Sequence, residues 1–194
     1  MAFRLGAESL AINMCPFRST IRAGTYIQTP KSLHKKWVLN ILNLTYDFCF
    51  HWRILGHIHI VDKHADELYK YKKYFNELDI TGLQFPLKVS DTPKFENSNP
   101  TISVKMVYEN NEFFPLYASK QRNRKRHVNL LMISTNEGKF HYLLVIILST
   151  VVAGNIKHKC YTHVCLYCLY CYSEMRLFTA HLPDCFVHPE QKVE

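Results

Sequence analysis

The stretch that decides the fold is HVNLLMISTNEGKFHYLLVIIL, residues 127–148. Two apolar runs, 127–134 and 141–148, flank the segment TNEGKF, which supplies turn residues. Apolar runs of this length on either side of a short, glycine-containing turn are typical of a β-hairpin. The sequence therefore predicts two hydrophobic strands here, which form the centre of a sheet.

The residues before this hairpin predict more strands and two helices. Apolar and polar residues alternate over 102–106 between proline and asparagine residues, which is typical of strands joined by turns. The stretch 37–44 also has strand character. The segment 47–78 has helical spacing, and we expect two helices, divided near residues 62–63, on one face of the sheet. The predicted fold class is α+β, with a small antiparallel sheet and packed helices.

The longest apolar run, YLLVIILSTVVAG, covers residues 142–154. It is shorter than the roughly twenty residues that a membrane-spanning helix needs. Its β-branched residues favour a buried strand. We expect no membrane partner.

Composition favours a folded, basic protein with a polyanionic partner. Of the 194 residues 47% are hydrophobic, and the net charge is +8 at pH 7. Such a charge suits nucleic acid, although basic proteins without such a partner are as common. The run KQRNRKRH at 120–127 is the densest basic segment, and it can contact phosphates without sequence preference. The candidate nucleic-acid-binding residues are Lys120, Arg122, Arg124, Lys125 and Arg126.

The cysteines indicate a metal site rather than disulfides. The segment MAFRLGAESLAINMCPFRS lacks the apolar core of a signal peptide, so we expect a nuclear or cytoplasmic protein that is not secreted. Thiols stay reduced in those compartments. Five of the seven cysteines lie at or after position 160, and such clustering is typical of metal binding.

Four of these residues have the spacing of a ββα zinc finger whose last histidine is replaced by cysteine. The pattern is C-x2-C-x12-H-x3-C. Cysteines three apart share a tight turn, and ligands four apart share one face of a helix, so all four can surround one Zn²⁺. The predicted metal ligands are Cys165, Cys168, His181 and Cys185.

Neighbouring residues support this finger and also complicate it. Tyr172 and Phe178 occupy its two aromatic core positions, whereas Pro183 is expected to break the last turn of the helix. The alternative ligands that the spacing leaves open are Cys160, His163 and Cys171.

The finger is not expected to read a base sequence. The three helix positions that contact bases in such fingers carry Glu174, Leu177 and Ala180. None of these is the arginine, asparagine or glutamine that makes bidentate contacts with bases. The predicted organisation is an extended arm at 1–36, an α+β domain at 37–150, the zinc-finger module at 158–188 and a tail at 189–194.

The phrases KFE (94–96), NPTISV (99–104) and HVNLLMI (127–133), followed by the Cys/His finger, resemble one region of a known family. This is the region that precedes the polymerase domain in protein-primed family B DNA polymerases of Polinton/Maverick-type transposons. The resemblance covers about residues 20–194 and implies a mobile-element origin and a DNA-replication context.

After HYLLV the family pattern is polar and basic, whereas this chain stays apolar. No YxDTDS-like aspartate pair is present, so no polymerase activity is expected. Weak, non-specific binding of nucleic acid, or a protein partner, is expected instead of a small-molecule substrate.

A rival hypothesis comes from enzymes. Cys49 stands at the start of a predicted helix and His141 opens a predicted strand, as in papain-like thiol peptidases, whose Cys-Phe…Trp and His-Tyr signatures the local sequence resembles. Cys49 would be the nucleophile, His141 the base, and an unidentified Asn or Asp the orienting residue. The alternative is a buried cysteine and an unrelated histidine at the sheet edge. We predict that the two are not joined in a competent site, because the segment around His141 has lost polar character and no third, orienting residue is evident.

Overall fold

The computed structural model describes residues 23–24, 26–33, 37–44, 47–110, 112–121, 123–153, 163–165 and 167–187. One five-stranded sheet forms its centre, and a small hairpin and a helix follow. The strands of the main sheet are β1 (Val38–Leu39), β2 (Ile102–Asn110), β3 (Glu112–Ala118), β4 (Arg126–Ser134) and β5 (Phe140–Val145). The helices around it are α1 (Cys49–Ile58), α2 (Tyr69–Lys72), α3 (Thr92–Ser98) and α4 (Leu148–Ala153), with 3-10 turns at Lys31–Leu33, Phe75–Glu77 and Val89–Asp91. The C-terminal elements are β6 (His163–Val164), β7 (Cys171–Tyr172) and α5 (Met175–Val187).

The predicted hairpin is confirmed and lies inside the sheet. The strand order is β1-β5-β4-β2-β3, so β4 is the central strand. Strands β4 and β5 pair antiparallel, with Met132 opposite Tyr142. Gly138 in the connecting turn has φ of 74°, which residues with a side chain rarely adopt. Together with the surrounding helices, this sheet makes the fold α+β, as predicted.

The prediction of an antiparallel sheet is wrong for one pair of strands. Strands β2 and β4 run parallel, from Ile102 opposite Arg126 to Tyr108 opposite Met132. The reason is topological: β3 folds back along the outer edge of β2 and ends opposite Lys105, near the start of β2. The chain then crosses to the inner edge of β2, and β4 has to run in the same direction as β2.

Both faces of the sheet are buried, which explains why β4 and β5 are apolar at successive positions. On one face Val128, Leu130 and Met132 pack with α1 and α3. On the other face Leu131 and Ile133 pack with buried residues of other elements: Leu33, Val107, Leu143, Val145, Leu148, Val151, Val152 and Leu169. Leu169 belongs to the C-terminal module, so that module shares a hydrophobic cluster with the sheet.

The apolar run at 142–154 is a strand only in its first part. Strand β5 ends at Val145, and α4 then places Leu148, Val151 and Val152 on the second face of the sheet. The strand prediction for the whole run is therefore wrong beyond Val145. Within the described residues, no helix has the length and apolarity needed to cross a membrane.

The described part of the predicted N-terminal arm contacts the domain. Ala23 and Leu33 are 0% and 1% exposed, respectively. The backbone N–H of Gly24 donates to the carbonyl of Phe140 at the start of β5, over 3.2 Å. The rest of that arm before residue 23, and the predicted tail at 189–194, lie outside the described residues.

Candidate functional site

A cluster of three cysteines and one histidine is built by the β6–β7 hairpin and α5. Cys165 follows β6, and Cys168 lies in the turn before β7. The turn is closed by two hydrogen bonds, from Cys165 N–H to the Tyr170 carbonyl (2.8 Å) and from Leu169 N–H to the Cys165 carbonyl (2.9 Å). Leu169 has φ of 63°, the left-handed conformation that lets the chain reverse here. The two thiols thereby face α5, which carries His181 and Cys185.

The ligand atoms of these four residues lie within 4.8 Å of one another. The Sγ atoms of Cys165 and Cys185 are 3.6 Å apart, and the Sγ atom of Cys168 is 3.3 Å from Nε2 of His181. A disulfide needs about 2.05 Å. Sulfur atoms that share a tetrahedral zinc ion at about 2.3 Å are about 3.7–3.8 Å apart. The predicted ligands therefore converge, and Cys165, Cys168, His181 and Cys185 could hold one metal ion.

The thiols of this cluster compete for one negative charge. The Cys168 side chain and the backbone N–H groups of Cys168 and Tyr167 lower the pKa of Cys165 to about 4. The pKa of Cys168 is raised, first by its hydrogen bond to the Cys165 side chain and then by burial. Burial, and then Cys165, raise the pKa of Cys185. A divalent cation removes this competition because it attracts all three thiolates.

Helix α5 delivers both of its ligands despite Pro183. The helix continues through Pro183 to Val187, so the predicted break before Cys185 is wrong. The proline removes one N–H from the helix, yet His181 and Cys185 remain one turn apart on the same face. The ring of Tyr172 lies 5.0 Å from the ring of His181 and 6.0 Å from that of Phe178.

The alternative ligands do not join this cluster in the described part of the chain. The ring of His163 stacks on Phe178, with centroids 5.8 Å apart, and His163 is not among the four clustered residues. Cys160 and the side chain of Cys171 lie outside the described residues. The helix positions that would face bases, Glu174, Leu177 and Ala180, are exposed.

The basic run divides into exposed and engaged side chains. Lys120 and Lys125 are exposed, and Arg126 is half-buried at the start of β4. Nη1 of Arg124 donates to the carbonyls of Glu96, Asn99 (3.2 Å) and Ile102 (2.7 Å), and so ties the end of α3 to the start of β2. Arg122 lies outside the described residues. Among the described members of the set, the two exposed lysines have the freest access to a phosphate.

A second site lies in the core, where α1 meets β5. The Sγ atom of Cys49, the first residue of α1, is 3.3 Å from Nδ1 of His141. Both residues are 0% exposed. The register of β5 places His141 beside the N-terminus of α1, so the fold brings the pair within hydrogen-bond reach inside the core. Whether the site is competent stays a prediction.

An asparagine completes this arrangement. Oδ1 of Asn40, just after β1, is 2.9 Å from Nε2 of His141. The Asn40 amide nitrogen donates to the Ile27 carbonyl (2.9 Å) and the Thr29 hydroxyl (3.1 Å), which fixes the orientation of the amide. Sequence reasoning did not find Asn40 as a neighbour of His141 because this residue carries no local signal: only the pairing of β1 with β5 brings it to His141.

Arg53, one turn after Cys49 on α1, adds a positive charge to the site. It is 0% exposed and donates to the Tyr142 carbonyl (2.8 Å) and the Asn40 Oδ1 atom (2.8 Å). None of the ion pairs in the described part of the chain includes it. Burial raises the pKa of Cys49, while the charge of Arg53 and the Tyr142 N–H act in the opposite direction. Since a buried, unpaired cation is costly, a thiolate at Cys49 would stabilise Arg53.

The neighbours of His141 require different tautomers. Nη2 of Arg53 lies 2.7 Å from Nε2 of His141 and can only donate. The same Nε2 atom faces Oδ1 of Asn40, which can only accept. With Arg53 in place the proton belongs on Nδ1, so Sγ of Cys49 accepts from His141 and from the Tyr142 N–H (3.2 Å). If Arg53 withdraws, Asn40 favours the proton on Nε2 and leaves Nδ1 as a base toward the thiol.

No family model matches the chain, and neither a curated protein nor a solved structure matches it.

Proposed function

We propose that this chain is a zinc-stabilised module, derived from a transposon polymerase region, that binds nucleic acid weakly and without sequence preference or binds a protein partner. The observation that carries the proposal is the convergence of three thiols and one imidazole. This soft, four-membered donor set is the one that structural zinc sites use. Cys165, Cys168, His181 and Cys185 would hold the ion, which would stabilise the C-terminal module. No polymerase activity is proposed for it.

The surface of α5 favours a protein partner over sequence reading. An open groove beside the cluster is lined by Tyr170, Tyr172, Leu177 and Asp184. Tyr170 is 64% exposed and Leu177 42% exposed. Apolar and aromatic side chains are typical of protein interfaces, whereas base readout needs hydrogen-bonding side chains.

The metal content of the purified chain tests the zinc proposal. Protein prepared without chelator should contain about one Zn²⁺ per chain, as structural sites of this type do. The double variant Cys165→Ala, Cys168→Ala should contain none. Cys49→Ala is the matched control, because this cysteine lies in the other site and its loss should leave the zinc content unchanged. Full zinc content in the double variant would mean that other residues bind the metal.

Salt dependence tests the nucleic-acid proposal. Binding of duplex DNA should weaken as salt rises, and Lys120→Ala and Lys125→Ala should each reduce the slope of log affinity against log salt by about one. Asn129→Ala, a change without charge on β4, is the control. Binding that does not respond to salt, or that prefers one duplex sequence, would contradict this proposal.

The core site supports a second candidate, a thiol acyl hydrolase of the papain type. We propose that, once Arg53 has withdrawn from Nε2 of His141, the Cys49 proton moves to Nδ1 and the thiolate attacks a carbonyl carbon of a peptide or ester. The leaving amine or alcohol takes the proton from Nδ1 as the C–N or C–O bond breaks. Water then attacks the thioester, and the acid leaves while the proton returns to Cys49. Asn40 would keep the imidazole in the required tautomer.

Acylation at Cys49 tests this second candidate. After prolonged incubation with p-nitrophenyl acetate, during which transient opening exposes the buried thiol, peptide mass spectrometry should find an acetyl group on Cys49. His141→Gln should reduce that acetylation by about 10²-fold or more, the usual contribution of a positioned general base. His64→Gln changes an exposed histidine and should have no effect. Equal acetylation in the wild-type and His141→Gln chains would overturn this candidate.

A further inference from the structure

The residues 23–24 and 26–30, here called the strap, contact His141, Asn40 and the first residue of β5. The ring of Tyr26 lies edge-on to the ring of His141, with centroids 5.4 Å apart. Asn40 donates to the carbonyl of Ile27. The Gly24 N–H donates to the carbonyl of Phe140, the residue before His141. The strap therefore contacts the imidazole, the orienting amide and the strand edge beside them.

Gly24 of the strap lies in a narrow space between Pro86 and Asp47, here called the Pro86–Asp47 slot, which has no room for a side chain. A Cβ atom at Gly24 would lie 2.6 Å from Cγ of Pro86 and 3.0 Å from Oδ1 of Asp47. Asp47 is two residues before Cys49, so the slot adjoins the N-terminus of α1. Ala23 and Gly24 are buried. Any larger residue at this position has to displace the proline ring or the strap itself.

We propose that the strap is an inhibitory segment that occupies the substrate-binding face of the Cys49 site, and that the substrate is an extended polypeptide with glycine in the Pro86–Asp47 slot. This inference rests on the second candidate function. Two features of the geometry point to it. Besides the Tyr26 ring and the Thr29 hydroxyl, the strap is held by two backbone groups, the Gly24 N–H and the Ile27 carbonyl, which any polypeptide can supply. The thiol is fully buried although its partners are in place, so part of its surroundings has to move before a substrate can reach Sγ, and the strap contacts the imidazole beside that thiol.

The guanidinium of Arg53 fits the same scheme. Its Nη2 atom contacts His141 and Asn40, while its Nη1 atom is buried with no hydrogen-bond partner in the described part of the chain. An unsatisfied buried donor is a net cost in the closed site. A polypeptide that enters in place of the strap can supply a carbonyl oxygen to Nη1. Arg53 would thereby be drawn from Nε2 of His141, and Nδ1 would be left free to accept the thiol proton.

Alkylation of Cys49 in the zinc-loaded full chain tests the strap. With iodoacetamide as the probe and peptide mass spectrometry as the readout, Cys49 should react slowly in the wild-type chain. Gly24→Ala should accelerate its alkylation about tenfold or more, because the added methyl group cannot share the slot with Pro86. Gln28→Ala changes an exposed strap residue and should leave the rate unchanged. Tyr26→Ala should accelerate it independently of the slot.

A peptide added in trans separates release of the strap from general unfolding. A synthetic peptide with the sequence of residues 20–30 should slow the alkylation of Cys49 in the Gly24→Ala chain. The same peptide with alanine in place of Gly24 should not. The strap proposal would be overturned if neither Gly24→Ala nor Tyr26→Ala accelerated the alkylation of Cys49. It would also be overturned if the peptide did not reverse the acceleration.

Failure of the strap and failure of the thiol function give different results. If only the strap proposal fails, Gly24→Ala is alkylated at the wild-type rate while acetylation by p-nitrophenyl acetate still depends on His141. If the thiol function fails, strap release accelerates alkylation and the peptide reverses it, yet His141→Gln leaves acetylation unchanged.

Discussion

The chain brings cysteine and histidine together twice, and the two places differ in what surrounds the pair. Both the Cys168–His181 and the Cys49–His141 contacts measure 3.3 Å. The first pair lies with two further thiols at a half-buried position. The second is fully buried beside a guanidinium and an amide. The comparison teaches that the next neighbours, and not the pair itself, determine which chemistry a Cys–His pair could support: two further thiols suit a metal ion, whereas a guanidinium and an amide suit the proposed proton transfer. The positive charge of Arg53, which contacts Nε2 of His141, disfavours a second cation at the core site.

Removal of the metal should produce the largest effect and should act on only one of the two places. We expect a chelator to unfold the hairpin and α5, since structural zinc contributes on the order of 10–16 kcal/mol to small modules. Hydrogen exchange measures this: the amides of Cys165 and Leu169 should lose protection, whereas that of Leu130 in β4 should keep it. If the Leu130 amide lost protection together with the amides of Cys165 and Leu169, the module and the sheet would unfold as one unit.

Replacement of Arg53 should have the next largest effect and should act only on the core site. Arg53→Ala removes donors from the Tyr142 carbonyl and the Asn40 amide and leaves a cavity, so we expect a loss of about 3–4 kcal/mol. Urea unfolding monitored by circular dichroism measures this loss. Arg176→Ala is the control, since its side chain is 82% exposed and the change should stay within about 0.5 kcal/mol. A zinc content reduced by Arg53→Ala would contradict the separation of the two sites.

The sequence predicted the metal cluster better than the core site because of the distances along the chain. The four predicted metal ligands span residues 165–185, so local turn and helix geometry alone brings them together. Asn40 and His141 are 101 positions apart, and only the pairing of β1 with β5 joins them. The parallel pairing of β2 with β4 was missed for a similar reason, because alternation of apolar residues carries no strand direction. Likewise, the basic run at 120–127 does not show from sequence that Arg124 donates hydrogen bonds to three backbone carbonyls, because those carbonyls lie in distant segments of the chain.

Acid should lower the free energy of unfolding of the domain through a third histidine, His51, which packs in the core as the neutral imidazole. Burial, opposed by a bond to the Phe75 carbonyl, lowers the pKa of His51 to about 4 from its ordinary 6.5. The unfolded chain therefore binds the proton first, and the stabilisation by neutral His51 is present above pH 6.5 and is lost as the pH falls toward 4. We expect a loss on the order of 2–3 kcal/mol across this window.

Urea unfolding of the metal-free chain at pH 7 and pH 4.5 measures this loss without interference from zinc release. His51→Phe should remove most of the pH dependence, because the site is lined by Phe48, Phe75 and Phe85. His64→Phe, at an exposed position, should retain it. An unchanged pH dependence in His51→Phe would assign the acid sensitivity to another group.

Replacement of cysteine by serine should lower the free energy of unfolding only slightly at the core site, which is the smallest effect that we expect. At the metal cluster the same replacement should lower zinc affinity strongly. In Cys49→Ser the hydroxyl oxygen still accepts from the Tyr142 N–H and still bonds to His141, as the sulfur does. We therefore expect a loss of only about 1 kcal/mol, which reflects the smaller atom and the changed bond lengths. In Cys168→Ser a soft thiolate is replaced by an alcohol that stays protonated, so zinc affinity should fall strongly. Urea unfolding measures the first effect, and competition with a chromogenic chelator measures the second. A core site that loses several kcal/mol on Cys49→Ser would require a thiolate in the resting chain, because a neutral hydroxyl cannot replace an anion beside Arg53.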